Sequence, residues 1–325
     1  MPDRRQFLLS LPLLASCARS RRNLIAVVPK AVSHLFFVAV HAGVKRAARE
    51  SGVEILWNGP NDETDHSRQI QIVEAMISRR VSALAISATD ERALSATVER
   101  AIQAGIPVTI FDSGVNVDGY VSFVATDNYG AGVTAARELA RLCGGKGDIG
   151  MVMHKPGGTS TMLREQGFQE TIAKEFPGIK IAAHQYGFAD RARARGAAEN
   201  ILTAHPNIAG IFASSEASSL GAIQAISTRG LSGKLKLITF DTSESHVEAL
   251  KNGTIDIMLV QDSFRIGYEA VKSLADKLQG RTPERRMDLP ARVVKKADLN
   301  KPDVQSLVKP QTAANQAVHR TIYYS

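Results

Sequence analysis

The stretch 24–57, LIAVVPKAVSHLFFVAVHAGVKRAARESGVEILW, holds the unit that decides the fold. Its opening apolar run, 24–29, is short, β-branched and stopped by Pro29, which suits a buried strand. Apolar residues then recur at helical spacing over 36–51, and Gly52 marks the helix end. A second apolar run, 53–57, follows at once. Strand, helix and strand in this order form a βα unit, in which two parallel neighbours are joined by a crossover helix.

The same rhythm continues along the chain. Strands are predicted at 83–87, 107–111 and 121–125, with helices over 65–79 and 91–104. A second series follows, with strands at 148–153, 179–184, 208–213, 235–240 and 255–260. Its helices are expected over 129–143, 159–176, 191–204, 218–229 and 243–252, and a helix at 264–278 and a strand near 292–296 come last. Two such series predict an α/β fold of two doubly wound parallel-sheet lobes covered by helices on both faces. The tail, 301–325, has little periodicity and contains Pro302 and Pro310, so a loose wrapping segment or partial disorder is expected there.

The first residues read as an address. Arg4-Arg5-Gln6-Phe7-Leu8 precedes a short apolar run to Ala15, a signal of export size and too short to span a bilayer. The arginine pair resembles a twin-arginine export signal, and Leu14-Ala15-Ser16-Cys17 resembles a lipobox. Residues 1–17 are thus expected to be an export signal that leaves Cys17 lipidated, on a membrane-anchored protein of the periplasm or cell surface. The other cysteine, Cys143, ends an apolar helix pattern, so there is neither a disulfide framework nor a CxxC metal pattern.

The net charge of +8 arises from scattered basic residues and basic pairs, with no DNA-binding motif ahead of the first strand, so no nucleic-acid partner is expected. His154-Lys155-Pro156-Gly157-Gly158-Thr159 lacks the spacing of a phosphate-binding loop. His184, His205 and His246 lack metal-ligand spacing and read as surface or helix-end residues. No cofactor or metal is expected.

In open α/β sheets ligands bind beyond the carboxyl ends of the strands. That rule selects Lys30 and Phe36-Phe37 after the first strand, and Asp112-Ser113 after the fourth. In the second series it selects Ser214-Ser215-Glu216, Asp241 and Gln261. Carboxylates accept hydrogen bonds from adjacent hydroxyls, an aromatic face covers the C–H side of a sugar ring, and a glutamine both donates and accepts. The alternative reading of Asp112 and Asp241 is as caps of the following helices. Ser215 and Glu216 open a helix, where both residue types are favoured anyway. One of Phe36 and Phe37 is expected in the core. Lys30 serves either a ligand or a salt bridge across the cleft.

Several stretches together carry a family resemblance. Ile25-Ala26-Val27-Val28-Pro29-Lys30 with Phe36-Phe37 and Gly43, then Asp112, Thr126-Asp127-Asn128, Arg164-Glu165-Gln166-Gly167-Phe168 and Phe240-Asp241, resemble ribose-type periplasmic binding proteins. The resemblance runs in order from about residue 24 to residue 300. It implies a type I fold whose lobes are joined by three crossings, with 24–126 plus 262–290 in the first and 127–261 plus 291–300 in the second. It also implies that Phe36, Phe37, Asp112, Asp241 and Gln261 take sugar-contact positions. Arg164 either joins them or ties its lobe together.

Departures from the ribose pattern are Lys30, His34, Ser113, Met162, Ala189 and Ser215. Pro29-Lys30, with Trp57-Asn58-Gly59-Pro60, is more similar to the branch that binds rhamnose or the furanosyl autoinducer. The implied role is a monomeric, non-catalytic protein that captures a sugar, deoxysugar or polyol and delivers it to an ABC transporter permease. The rivals are a sensory module for a chemoreceptor or kinase and a hydrolase using Asp112 and Asp241 as paired carboxylates, which lacks a nucleophile elbow in support.

Overall fold

The computed structural model describes residues 23–308. The predicted export signal with Cys17, and the segment 309–325, lie outside the described residues. Strand β1 (Leu24–Val28) alternates its side chains between two cores: Ile25 and Val27 face one, Ala26 and Val28 the other, and all four are fully buried. A strand covered on both faces must be apolar throughout, which is why this run carries no polar residue.

Parallel partners β2 (Glu54–Trp57) and β3 (Ala83–Ile86) flank β1. With β4 (Val108–Phe111), β5 (Ser122–Thr126) and β11 (Arg286–Leu289) they form a parallel sheet of order β11-β5-β4-β3-β1-β2. The second sheet has order β12-β10-β9-β8-β6-β7. It comprises β6 (Gly147–Met153), β7 (Ile179–Tyr186), β8 (Gly210–Ala213), β9 (Lys236–Phe240), β10 (Ile257–Val260) and β12 (Arg292–Val294). Only β12 runs antiparallel to its neighbour. The two orders superimpose when β1 is matched to β6, β3 to β8, β4 to β9 and β5 to β10.

In the first lobe, α1 (Leu35–Ser51) and α9 (Ser263–Leu278) cover one sheet face, burying Phe37, Val40, Val44, Ile266 and Leu274. On the other face, α2 (His66–Ser78) and α3 (Ser95–Gln103) bury Ile72, Val73, Met76 and Val98. In the second lobe, α4 (Asn128–Leu142) and α5 (Thr159–Glu175) cover one face. The helices α6 (Arg191–Ala204), α7 (Glu216–Thr228) and α8 (Glu244–Lys251) cover the other. Each fully buried large apolar side chain contributes about 1.5–3 kcal/mol.

Glycines set the closest helix pairs. A Cβ at Gly43 of α1 would collide with the Phe264 carbonyl of α9, and one at Gly267 with the Val40 carbonyl. The matched pair repeats this: Gly132 of α4 abuts the Arg164 carbonyl of α5, and Gly167 abuts that of Tyr129. The chain crosses between lobes three times, after β5, after β10 and between β11 and β12.

The structure corrects two expectations. Strand β11 is absent from the sequence reading because Arg286-Met287-Asp288-Leu289 alternates charged and apolar residues over only four positions; it lies at a sheet edge with only Leu289 buried. The expected loose tail begins instead with helix α10 (Pro302–Val308), whose Val304 and Val308 are buried in the second lobe. Two helical turns are too short to show a period in the sequence, although Pro302 at the first helical position is a start signal. His246 lies in the first turn of α8, at a helix end as expected, where it is fully buried and its pKa is lowered to about 4 by that burial.

Candidate ligand-binding site

The carboxyl ends of both sheets face one small cavity of about 30 Å³, narrower than the roughly 300–1,000 Å³ typical of occupied small-molecule sites. Lys30, His34, Phe36, Phe37, Asp112, Arg164, Ser215, Glu216, Asp241 and Gln261 all line it. The sequence shortlist is therefore brought together by the fold. Its members are not equivalent. Phe37 belongs to the first-lobe core at 1 % exposure, while Phe36 is half-buried and meets it edge-on, with ring centroids 5.0 Å apart.

Asp112 and Asp241 occupy matched positions, directly after β4 and after β9. Both have left-handed backbones, with φ of 57° and 69°, a conformation that aspartate tolerates better than most residues. Neither is the cap of a following helix. The Asp112 carboxylate accepts from Ser87 Oγ at 2.8 Å and pairs with Lys30 Nζ at 3.2 Å. Asp241 accepts from Gln261 Nε2 at 2.6 Å and from the Glu216 N–H at 2.9 Å. Gln261 accepts in turn from Thr126 Oγ1 at 2.6 Å, joining two of the crossings.

Glu63, unpredicted, is the hub of the charges. It sits in the polar loop before α2 at 3 % exposure. Lys30 Nζ lies 3.6 Å away, His34 Nδ1 3.0 Å away, and His154 Nε2 2.9 Å away from the opposite lobe. Burial opposes ionisation of Glu63, but Lys30 and the two histidines hold its pKa well below the ordinary glutamate value. Burial likewise disfavours the charged Lys30, and Asp112 and Glu63 outweigh it, raising the lysine pKa. Burial also opposes charge on His34, yet its bond to Glu63 raises the imidazole pKa.

Burial has the opposite outcome at His154, lowering its pKa and favouring the neutral ring. Since a carboxylate only accepts, Nε2 carries the proton toward Glu63. Nδ1 then accepts from Ser215 Oγ at 2.9 Å. His154 follows β6 directly, so the strand-end rule points to it; Glu63 lies too far beyond β2 for that rule to reach.

Arg164 spends its donors within the second lobe, on Asn128 Oδ1 at 2.8 Å and the Ser214 carbonyl at 3.1 Å, with its guanidinium 3.8 Å from the centre of the Phe240 ring. Beneath it, Glu165 accepts from the His154 N–H at 2.8 Å and Ser214 Oγ at 2.7 Å, and burial pushes its pKa up to about 7. Four carboxylates (Glu63, Asp112, Glu216 and Asp241) thus line the cavity against two permanent cations, Lys30 and Arg164. Such a lining repels an anion and suits a neutral, hydroxyl-rich molecule.

A sequence match to the periplasmic binding protein domain spans residues 25–282. The chain belongs to the periplasmic binding protein family. This binding protein is 29 % identical over 287 residues to a D-ribose/D-allose-binding protein of Pseudomonas aeruginosa, covering 86 % of this chain and 89 % of the relative. Its fold matches a carbohydrate transporter solute-binding protein of Agrobacterium radiobacter in complex with D-arabinose. The TM-score is 0.86 at 30 % identity, with 89 % of this chain and 100 % of that chain covered. A solute-binding protein of Agrobacterium vitis with bound D-fucose matches at 0.85 and 31 % identity, over 88 % and 100 % of the two chains.

Proposed function

We propose that this periplasmic binding protein captures a neutral sugar, deoxysugar or polyol between its lobes and delivers it to the permease of an ABC importer. The observation that carries the reading is the pair Asp112 and Asp241, held in matched positions of the two lobes and facing one cavity. Each offers acceptor oxygens to ligand hydroxyls, and hydrogen bonds to charged groups contribute about 1.5–3 kcal/mol each. Phe36 supplies the apolar face. Lys30, His34, Arg164, Ser215, Glu216 and Gln261 complete the lining, with Phe37 supporting Phe36 from the core.

Closure brings 24–126 with 262–290 against 127–261 with 291–300, and the protein acts as a monomer without chemistry of its own. The relatives that bind D-ribose, D-allose, D-arabinose and D-fucose support this ligand class. The twin-arginine pattern and lipobox support export and a lipid anchor on Cys17, in a periplasmic setting.

A thermal-shift screen of these sugars, polyols and sugar acids tests the reading. A ligand at 100 times its Kd adds about 2.7 kcal/mol of stability, and the acids are expected to give no shift. Asp112→Ala and Asp241→Ala should each abolish the shift while remaining folded by circular dichroism. Full affinity in both variants would sink the assignment.

A further inference from the structure

Among the described helices, six carry their own N-terminal acceptor. Asp65, Asp127, Asp190, Ser215, Ser243 and Asp262 each accept from the backbone N–H three residues on. The matched pair α1 and α5, whose first turns open onto the cavity, do not. The residue before α1 is His34, with an extended backbone suited to capping, but its ring is bonded to Glu63. The residue before α5 is Gly158, which has no side chain to offer.

In both cases the polar partner comes from the opposite lobe. Glu216 Oε2 accepts from the Phe36 N–H at 3.2 Å, and the same carboxylate faces the Leu35 N–H. Reciprocally, Ser113 Oγ of the first lobe lies 3.5 Å from the Ser160 nitrogen and 3.2 Å from Thr159 Oγ1, and the Gly114 N–H donates to that hydroxyl at 2.5 Å. The α5 contact is the longer and weaker of the two.

We infer that Glu216 and Ser113 are positioning residues that cap α1 and α5 across the cleft. The helices presenting Phe36 and Arg164 to the cavity complete their first turns only when the lobes meet. The inference rests on the reading of this cavity as the ligand site, and it gives Glu216 a role other than direct ligand contact. An acceptor reached only on closure biases the equilibrium toward the closed form, and whatever populates that form tightens apparent ligand affinity.

Amide hydrogen exchange on the full chain, without added ligand, is the direct test. Glu216→Ala should speed exchange at Leu35 and Phe36 about fivefold to tenfold, the usual effect of losing a cap, and leave α1 from Val40 onward unchanged. Glu216→Gln, which keeps an acceptor oxygen, should show a smaller change. Ser113→Ala should act only at Ser160, and more weakly. Unchanged rates at Leu35 and Phe36 in Glu216→Ala would overturn the inference.

A local cap provides the independent check. In a His34→Asp background, where α1 carries its own acceptor, adding Glu216→Ala should no longer affect these amides. Equal acceleration in both backgrounds would mean that the loss comes from loosening α7, and the inference fails. With D-arabinose as the probe, calorimetry should show binding to Glu216→Ala about fivefold to tenfold weaker than to the unaltered protein. If the unaltered protein binds none of the sugars, the functional reading fails while the exchange result stands by itself.

Discussion

Glu165 lies one layer below the cavity, where its carboxyl supports the His154 backbone and the Ser214 hydroxyl. Its folded pKa of about 7 exceeds the ordinary value of 4.5, so the fold favours the protonated acid. The stability this provides is fully present below pH 4.5 and is lost as pH rises through 7. Glu165→Gln keeps an acceptor oxygen and removes the titration. Its urea stability relative to the unaltered protein should therefore improve by about 2–3 kcal/mol between pH 5 and pH 8.5. An identical difference at both pH values would show that Glu165 does not titrate in the fold. At this scale the sequence points to strand-end side chains, because geometry fixes where strand ends lead. It is silent on Glu63, an acid in a polar loop that becomes buried only because Lys30, His34 and His154 converge on it.

At the scale of elements, the glycine-mediated pairs α1–α9 and α4–α5 are the tightest constraint. An added methyl at Gly43 or Gly132 meets backbone rather than a side chain that can swing away. Gly43→Ala and Gly132→Ala should each destabilise their own lobe by about 1–3 kcal/mol, the usual cost of overpacking, read as a lower urea midpoint. An unchanged midpoint in either variant would mean that the helix pair slides apart freely. Buried strands such as β1 and β6 are legible because burial on two faces demands unbroken apolar runs. The edge strand β11 and the short α10 are not. One is held by backbone pairing to β5, which leaves little trace in side-chain pattern, and the other by only a few apolar contacts.

For the whole molecule, the matched strand orders place equivalent residues opposite each other, and this makes one cavity from two similar lobes. The crossings also interleave the lobes along the chain. The first sheet receives β11, and the α1 face receives α9, from residues beyond Gln261. A chain truncated after Gln261 should therefore expose Val40, Val44 and the open edge of β5, and aggregate rather than unfold cooperatively. Two-state unfolding of that fragment would contradict the interleaving. The same threading orders events during synthesis. As the nascent chain leaves the ribosome, the lobe made first waits for segments made last, while most of the second lobe has already emerged. Its early half is an unfinished layer in need of shelter until translation is nearly over.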